Sequence, residues 1–251
     1  MIARTLTAAA VAATAIATPA TAFDISAMSD AERNAFRAEV RAYLLENPEV
    51  LLEAINVLEE RQAAGKAADD AALIAANADA LFDDGWSWVG GNPEGDVTVV
   101  EFLDYRCGYC KRAFPDVKEL LQSDGNIRFI VKEFPILGEQ SVLASRFAIA
   151  TKNVAGDAAY GQVHDALMAF RGEISEDSLK ALAAHLGLDA DAIFAEMSNP
   201  EIERIIAENR RLAQRLQING TPSFVFGDQM LRGYAPLEHM RALVEELRGE
   251  G

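Results

Sequence analysis

Two near-continuous apolar runs, residues 97–103 and 127–134, constrain this chain more than any other feature. A strand with one wet face alternates apolar and polar residues, whereas an unbroken run reads as a strand covered on both faces. A helical segment separates the two runs, starting near Cys107 and continuing to Leu121. Residues 86–89 read as an edge strand, and Gly90-Gly91-Asn92-Pro93-Glu94-Gly95 is a dense turn signal. Residues 139–217 are helical, with breaks at Gly156, Gly172, Gly187 and Asn199-Pro200. Residues 222–226 and 230–233 then pair as a hairpin around Gly227-Asp228, and residues 237–247 close the chain as an amphipathic helix.

This order of elements predicts an α/β thioredoxin-like fold with a helical insertion, about 139–217, after the second core strand. It occupies residues 86–251 and is preceded by a helical arm over 23–85. Ser29 and Glu32 form a capping box that opens the arm, with Phe36, Val40, Tyr43 and Leu44 on one helix face. Asn47-Pro48 ends that helix and starts a second, in which Leu51, Ala54, Ile55 and Leu58 repeat at helical spacing. The alanine-rich stretch 63–81, interrupted by Gly65 and Asp69-Asp70, reads either as helix or as a pliable connector. Between Phe23 and Gly95 the chain carries fifteen acidic against five basic residues. The apolar stripe of the arm has no partner within it, so it must be buried against the rest of the chain or against another copy.

Arg4, the apolar residues 6–17 and Ala20-Thr21-Ala22 have the layout of a secretory signal peptide, residues 1–22, cleaved after Ala22. The expected location is a bacterial periplasm. The formal net charge of −16 repels phosphate backbones and anionic lipid, so neither nucleic acid nor a membrane surface is expected as a partner.

The chain has two cysteines, in Cys107-Gly108-Tyr109-Cys110, where a buried strand gives way to a helix. A disulfide across three positions closes almost no loop and does little for stability. At a helix N-terminus, however, unpaired backbone N–H groups and the positive end of the dipole favour a thiolate. Cys107 is therefore expected to attack, and Cys110, one turn further in, to resolve. Half of a zinc site is the competing reading, but a full site needs two more ligands. His164, His185 and His239 lie far away in sequence and read as helix-surface residues. No metal and no cofactor are expected.

The run from Val100 to Cys110, together with Val131-Lys132-Glu133-Phe134-Pro135 and Gly220-Thr221-Pro222-Ser223-Phe224-Val225, resembles the DsbA-like thiol–disulfide oxidoreductases over roughly 96–247. The acidic arm resembles the N-terminal part of ScsC-like proteins, a branch that includes trimeric disulfide isomerases. The resemblance implies a redox-active disulfide between Cys107 and Cys110, and a buried acid, Glu101, as proton acceptor for the resolving cysteine. Lys132 on the neighbouring strand is the usual partner of that acid. It also implies a cis-proline at Pro222, which would bring Thr221 against the sulfurs, so that Gly108, Tyr109, Thr221 and Pro222 meet the substrate. A carboxylate on a buried strand is costly unless it is paired or used, the alternative for Glu101 being a strand edge open to water. The alternative for Pro222 is a trans turn proline.

The known oxidases of the family carry Pro-His between the cysteines. Gly108-Tyr109 offers no such donor, which implies a less acidic Cys107 and a less oxidising disulfide. Together with Thr221 before the proline, this points to an isomerase or reductase acting on exported proteins with disulfides or thiols. A DsbD-like membrane donor would keep it reduced, and the arm implies a homotrimer. The rivals are a disulfide-introducing oxidase served by a DsbB-like acceptor, and a chaperone or Cu(I)-handling protein that uses the dithiol as a soft ligand.

Overall fold

The computed structural model describes residues 25–249. The expected signal segment with its expected cleavage point after Ala22, and Phe23 at the start of the arm, lie outside the described residues. The chain divides into two compact units after Glu59.

In the first unit a short 3-10 turn, Ile25–Ala27, leads into α1 (Asp30–Glu46) and the first part of α2 (Glu49–Ala76). The expected capping box is present: Glu32 N–H donates to Ser29 Oγ at 3.4 Å, and the Glu32 carboxylate accepts from Ser29 N–H at 2.8 Å. Asn47 caps the end of α1. No residue of α1 is buried, and Phe36, Val40, Tyr43, Leu51, Ile55 and Leu58 all stand exposed. Phe36, Val40, Leu44, Leu45 and Leu51 line an open groove of about 420 Å³.

The second unit begins at Glu60. The alanine-rich stretch is helix, formed by the end of α2 and by α3 (Ala78–Phe82). Its large side chains are few but sufficient: Ile74 and Leu81 are buried in one cluster with Val100, Phe102 and Ile130. Asp70, the interruption in the alanine pattern, forms a bidentate pair with Arg232 at 2.7 and 2.8 Å.

The sheet contains β1 (Trp88–Gly91), β2 (Val97–Leu103), β3 (Ile127–Glu133), β4 (Ser223–Phe226) and β5 (Gln229–Arg232) in the order β1-β3-β2-β4-β5. Only the central pair, β2 and β3, is parallel. Between them runs α4 (Gly108–Asp124), ended by Gly125 in the left-handed conformation at φ 74°. Gly91, at φ 65°, could not carry a side chain, since a Cβ there would lie 2.3 Å from the Ile127 carbonyl oxygen.

The helical insertion comprises α5 (Glu139–Ala169), kinked at Gly156, then α6 (Glu176–His185), α7 (Ala190–Glu196) and α8 (Pro200–Arg215). The closing helix is α9 (Leu237–Arg248). Strand alternation divides the core into two layers. Val97, Val99 and Leu103 share a cluster with α4, α5 and α9, whereas Val100 and Phe102 meet Ile74, Leu81 and the end of α8. Both central strands are thus covered on both faces, as their unbroken apolar pattern requires.

Candidate active site

The register of β2 and β3 decides which functional groups meet. Glu101 lies opposite Val131, Phe102 opposite Lys132, and Leu103 opposite Glu133. Directly paired residues point to the same face of a sheet and successive residues to opposite faces. Glu101 and Glu133 therefore share the face covered by α4 and α5, while Lys132 points the other way.

The expected pairing of Lys132 with Glu101 is thereby corrected. The Lys132 ammonium is fully buried on the far face, where it donates to Asp84 at 2.5 Å and to the Ala80 carbonyl at 2.7 Å. A one-residue offset on a strand is enough to separate the two groups. Asp84 follows α3, so the docked end of the alanine-rich stretch neutralises this charge. Burial pulls Lys132 downward while Asp84 pulls it back up.

Cys107 is the N-cap of α4, with its sulfur accepting from Cys110 N–H at 3.4 Å. It is 6% exposed, whereas Cys110 is fully buried. Both are free thiols. Hydrogen bonding from Cys110 brings Cys107 down to about 5, with burial opposing and with Thr221 and the backbone N–H groups of Cys110 and Tyr109 assisting. Burial pushes Cys110 far above an ordinary thiol, and Cys107 and Glu101 add to that effect. One turn of helix thus makes two thiols of opposite character.

The Thr221–Pro222 peptide bond is cis, and the Cys107 thiol lies 3.1 Å from the Thr221 carbonyl oxygen. Tyr109 is 62% exposed, and a Cβ at Gly108 would meet nothing within 4 Å. The first turn of α4 beside Cys107 therefore presents an exposed ring and an uncrowded glycine. Asp104, itself buried, ties this region together: its carboxylate accepts from Arg106 N–H at 2.7 Å, from Ile136 N–H at 2.8 Å and from Leu137 N–H at 3.0 Å.

Glu101 is buried and its Oε1 has no hydrogen-bond partner among the described residues. Burial raises it to about 8, and the neighbouring Cys107 and Glu133 push in the same direction. It is an acid that holds its proton near neutrality beside a thiol reluctant to lose one.

Several groups around the dithiol escape the sequence reading. Glu133 is buried and accepts from Tyr105 OH at 2.8 Å, Tyr160 OH at 2.5 Å and Ser145 Oγ at 2.6 Å. His164, expected on a helix surface, is buried among Trp88, Tyr105, Phe114 and Tyr160. Burial lowers it to about 4, so it is neutral at physiological pH. The spacing of Tyr160, Val163, His164 and Leu167, one apolar helical stripe, was the signal that His164 faces inward.

Residues 98–245 match the DSBA-like thioredoxin domain family, and residues 32–64 match the copper resistance protein ScsC N-terminal domain. A thioredoxin-like oxidoreductase from Silicibacter pomeroyi is 41% identical with a TM-score of 0.64, the match covering 69% of this chain and 98% of that one. Proteus mirabilis ScsC in a transitional conformation is 27% identical with a TM-score of 0.65, covering 91% of this chain and all of the other. Among curated proteins, a Na(+)/H(+) antiporter NhaA 1 of Salinispora arenicola is 32% identical over 157 residues, 62% of this chain. The chain spans only 24% of the length of that antiporter.

Proposed function

We propose, from the premise that this chain belongs to the DsbA-like thioredoxin family and is a thiol–disulfide oxidoreductase, that it reshuffles or reduces disulfides of exported proteins in the periplasm. The observation that carries this reading is the asymmetry of the dithiol: Cys107, at the helix N-terminus and acidic, against Cys110, wholly buried and held as a thiol. The Cys107 thiolate attacks one sulfur of a client disulfide, forming a mixed disulfide and releasing the other client sulfur as a thiolate. In isomerisation a second client thiolate attacks the mixed disulfide and Cys107 leaves as it came. In reduction Cys110 passes its proton to the Glu101 carboxylate and attacks Cys107. The bond to the client breaks, the client sulfur departs reduced, and the Cys107–Cys110 disulfide remains. Gly108, Tyr109, Thr221 and Pro222 form the client contact. A DsbD-like membrane donor would return the pair to the dithiol.

A Cys107 near 5 lies between the roughly 7 of thioredoxin and the roughly 3.5 of a strong oxidase. This favours the second reading, disulfide introduction with a DsbB-like acceptor, to the extent that a stable thiolate makes the disulfide oxidising. The arm weighs the other way. Its exposed stripe and open groove support association of copies, with a trimer as the assembly proposed, and several Cys107 sites in one particle suit reshuffling. Burying six large apolar side chains is worth on the order of 10 kcal/mol before ordering costs. The name of the ScsC domain family carries the third reading, Cu(I) held by the dithiol; titrating copper against Cys107→Ser distinguishes it. The test of direction is refolding of a scrambled multi-disulfide client: recovery of native pairs by the reduced protein alone supports isomerisation, and recovery only from a fully reduced client by the oxidised protein supports the oxidase.

A further inference from the structure

The buried face that carries Glu101 holds a second carboxyl with no assigned task. Glu133 follows Glu101 along the same face, one register step further on the neighbouring strand. Its carboxyl is committed to three hydroxyls, Tyr105 and Tyr160 on Oε1 and Ser145 on Oε2. Asn209 holds the backbone carbonyl at 3.1 Å. Such a cage is an unusual investment for one residue: three hydroxyl donors, one from the loop after β2 and two from α5, all serve the charged form of one acid.

Among the described residues, the rest of its surroundings offer no counter-ion. His164 reaches Tyr105 OH at 3.3 Å, but is neutral at physiological pH. Lys132, the buried cation of β3, lies on the opposite face and is paired with Asp84. Asp104, on the loop after β2, adds negative potential, and Glu101 in turn interacts with both Cys107 and Cys110. A carboxylate stabilised by dipoles rather than by a cation keeps its field, and in a low-dielectric layer that field reaches a neighbouring acid.

We infer that Glu133 is a positioning residue for the proton step at Cys110, its caged negative charge setting the pH at which Glu101 gives up its proton. The inference rests on the reading of Glu101 as the base for Cys110. It explains why, among the described residues, Glu101 has no cation beside it. An ion pair would hold Glu101 permanently charged, whereas a neighbouring anion raises the pH at which it ionises and so makes it a stronger base toward the Cys110 thiol. Burial raises both acids: Glu101 to about 8, with Cys107 and Glu133 adding to it, and Glu133 to about 7 against the downward pull of its three hydroxyls.

The test mixes the reduced protein with a chromogenic aromatic disulfide. One coloured thiol is released when Cys107 attacks and a second when Cys110 resolves, and each phase is followed as a function of pH. Glu133→Gln is expected to move the pH midpoint of the second phase downward by on the order of one unit, leaving the midpoint of the first phase in place. Ser145→Ala, which removes one donor without touching the carboxyl, keeps the test available if Glu133→Gln fails to fold. It is expected to move the second midpoint in the same direction by less. An unmoved second midpoint in both variants, while Glu101→Gln abolishes that titration, overturns the inference and leaves Glu101 as the base. If Glu101→Gln keeps the titration of the second phase, the base reading fails and the inference falls with it.

Discussion

The two units of this chain treat apolar side chains in opposite ways. In the catalytic unit Tyr105, Phe102, Phe147, Phe224 and Leu167 are wholly buried, and even a lysine is drawn inside and paired. In the first unit α1 buries nothing, and leucines as exposed as Leu45 (64%) and Leu52 (62%) remain in water. Hydrophobic burial is the main favourable term in folding, so a unit that forgoes it has either little stability of its own or a partner. The catalytic unit completes its own core, and the arm leaves its apolar side chains exposed.

The largest effect expected on that contrast leaves the fold intact. Cys107→Ala should abolish turnover in the full chain and in any truncated form, while Cys110→Ala should still attack and accumulate mixed disulfides, visible on non-reducing gels. Next comes removal of the first unit. Deleting residues 25–59 should give a monomer by light scattering that reduces a simple disulfide at an undiminished rate but recovers scrambled clients poorly. Equal isomerase activity in the truncated protein would dissolve the functional half of the contrast.

A smaller effect probes the core of the catalytic unit. Lys132→Met strands Asp84 in a buried site, and should cost about 3–5 kcal/mol in denaturant unfolding, with much of it regained when Asp84→Leu is added. Smaller still, Glu101→Gln should slow resolution by Cys110 while leaving the melting temperature unchanged or higher, because a buried acid without a partner is gone. A fall in melting temperature with unchanged exchange would make Glu101 structural.

The order of strands and helices was legible because unbroken apolar runs and dense turn signals leave few arrangements. The placement of Cys107 and Cys110 was legible because their spacing is one helical turn. What the sequence hid depended on the third dimension. Lys132 and Glu101 look like natural partners on neighbouring strands, and only the register, Phe102 against Lys132, shows that they face apart. Stretch 63–81, with few large side chains, read either as helix or as a pliable connector. Ile74, Leu81 and the pair Asp70–Arg232 suffice to dock it because each is placed where the sheet is uncovered. Glu133 stood inside a recognised motif and drew no role of its own, since its three hydroxyl donors come from residues 12 to 28 positions away along the chain.

The division of labour between the two thiols is most directly tested by alkylating the reduced protein over a range of pH and mapping the modified residue. The account predicts that Cys107 alone reacts, with a midpoint near 5, and that Cys110 is untouched at neutral pH. The same shift makes a thermodynamic statement. A Cys107 value lower in the folded chain than the roughly 8.5 of an unfolded thiol stabilises the reduced fold fully above the unfolded value. That contribution is lost as pH falls through about 5, and the oxidised protein, which has no thiolate, lacks it. A midpoint at the ordinary thiol value, or label appearing on Cys110 before Cys107, would contradict the account.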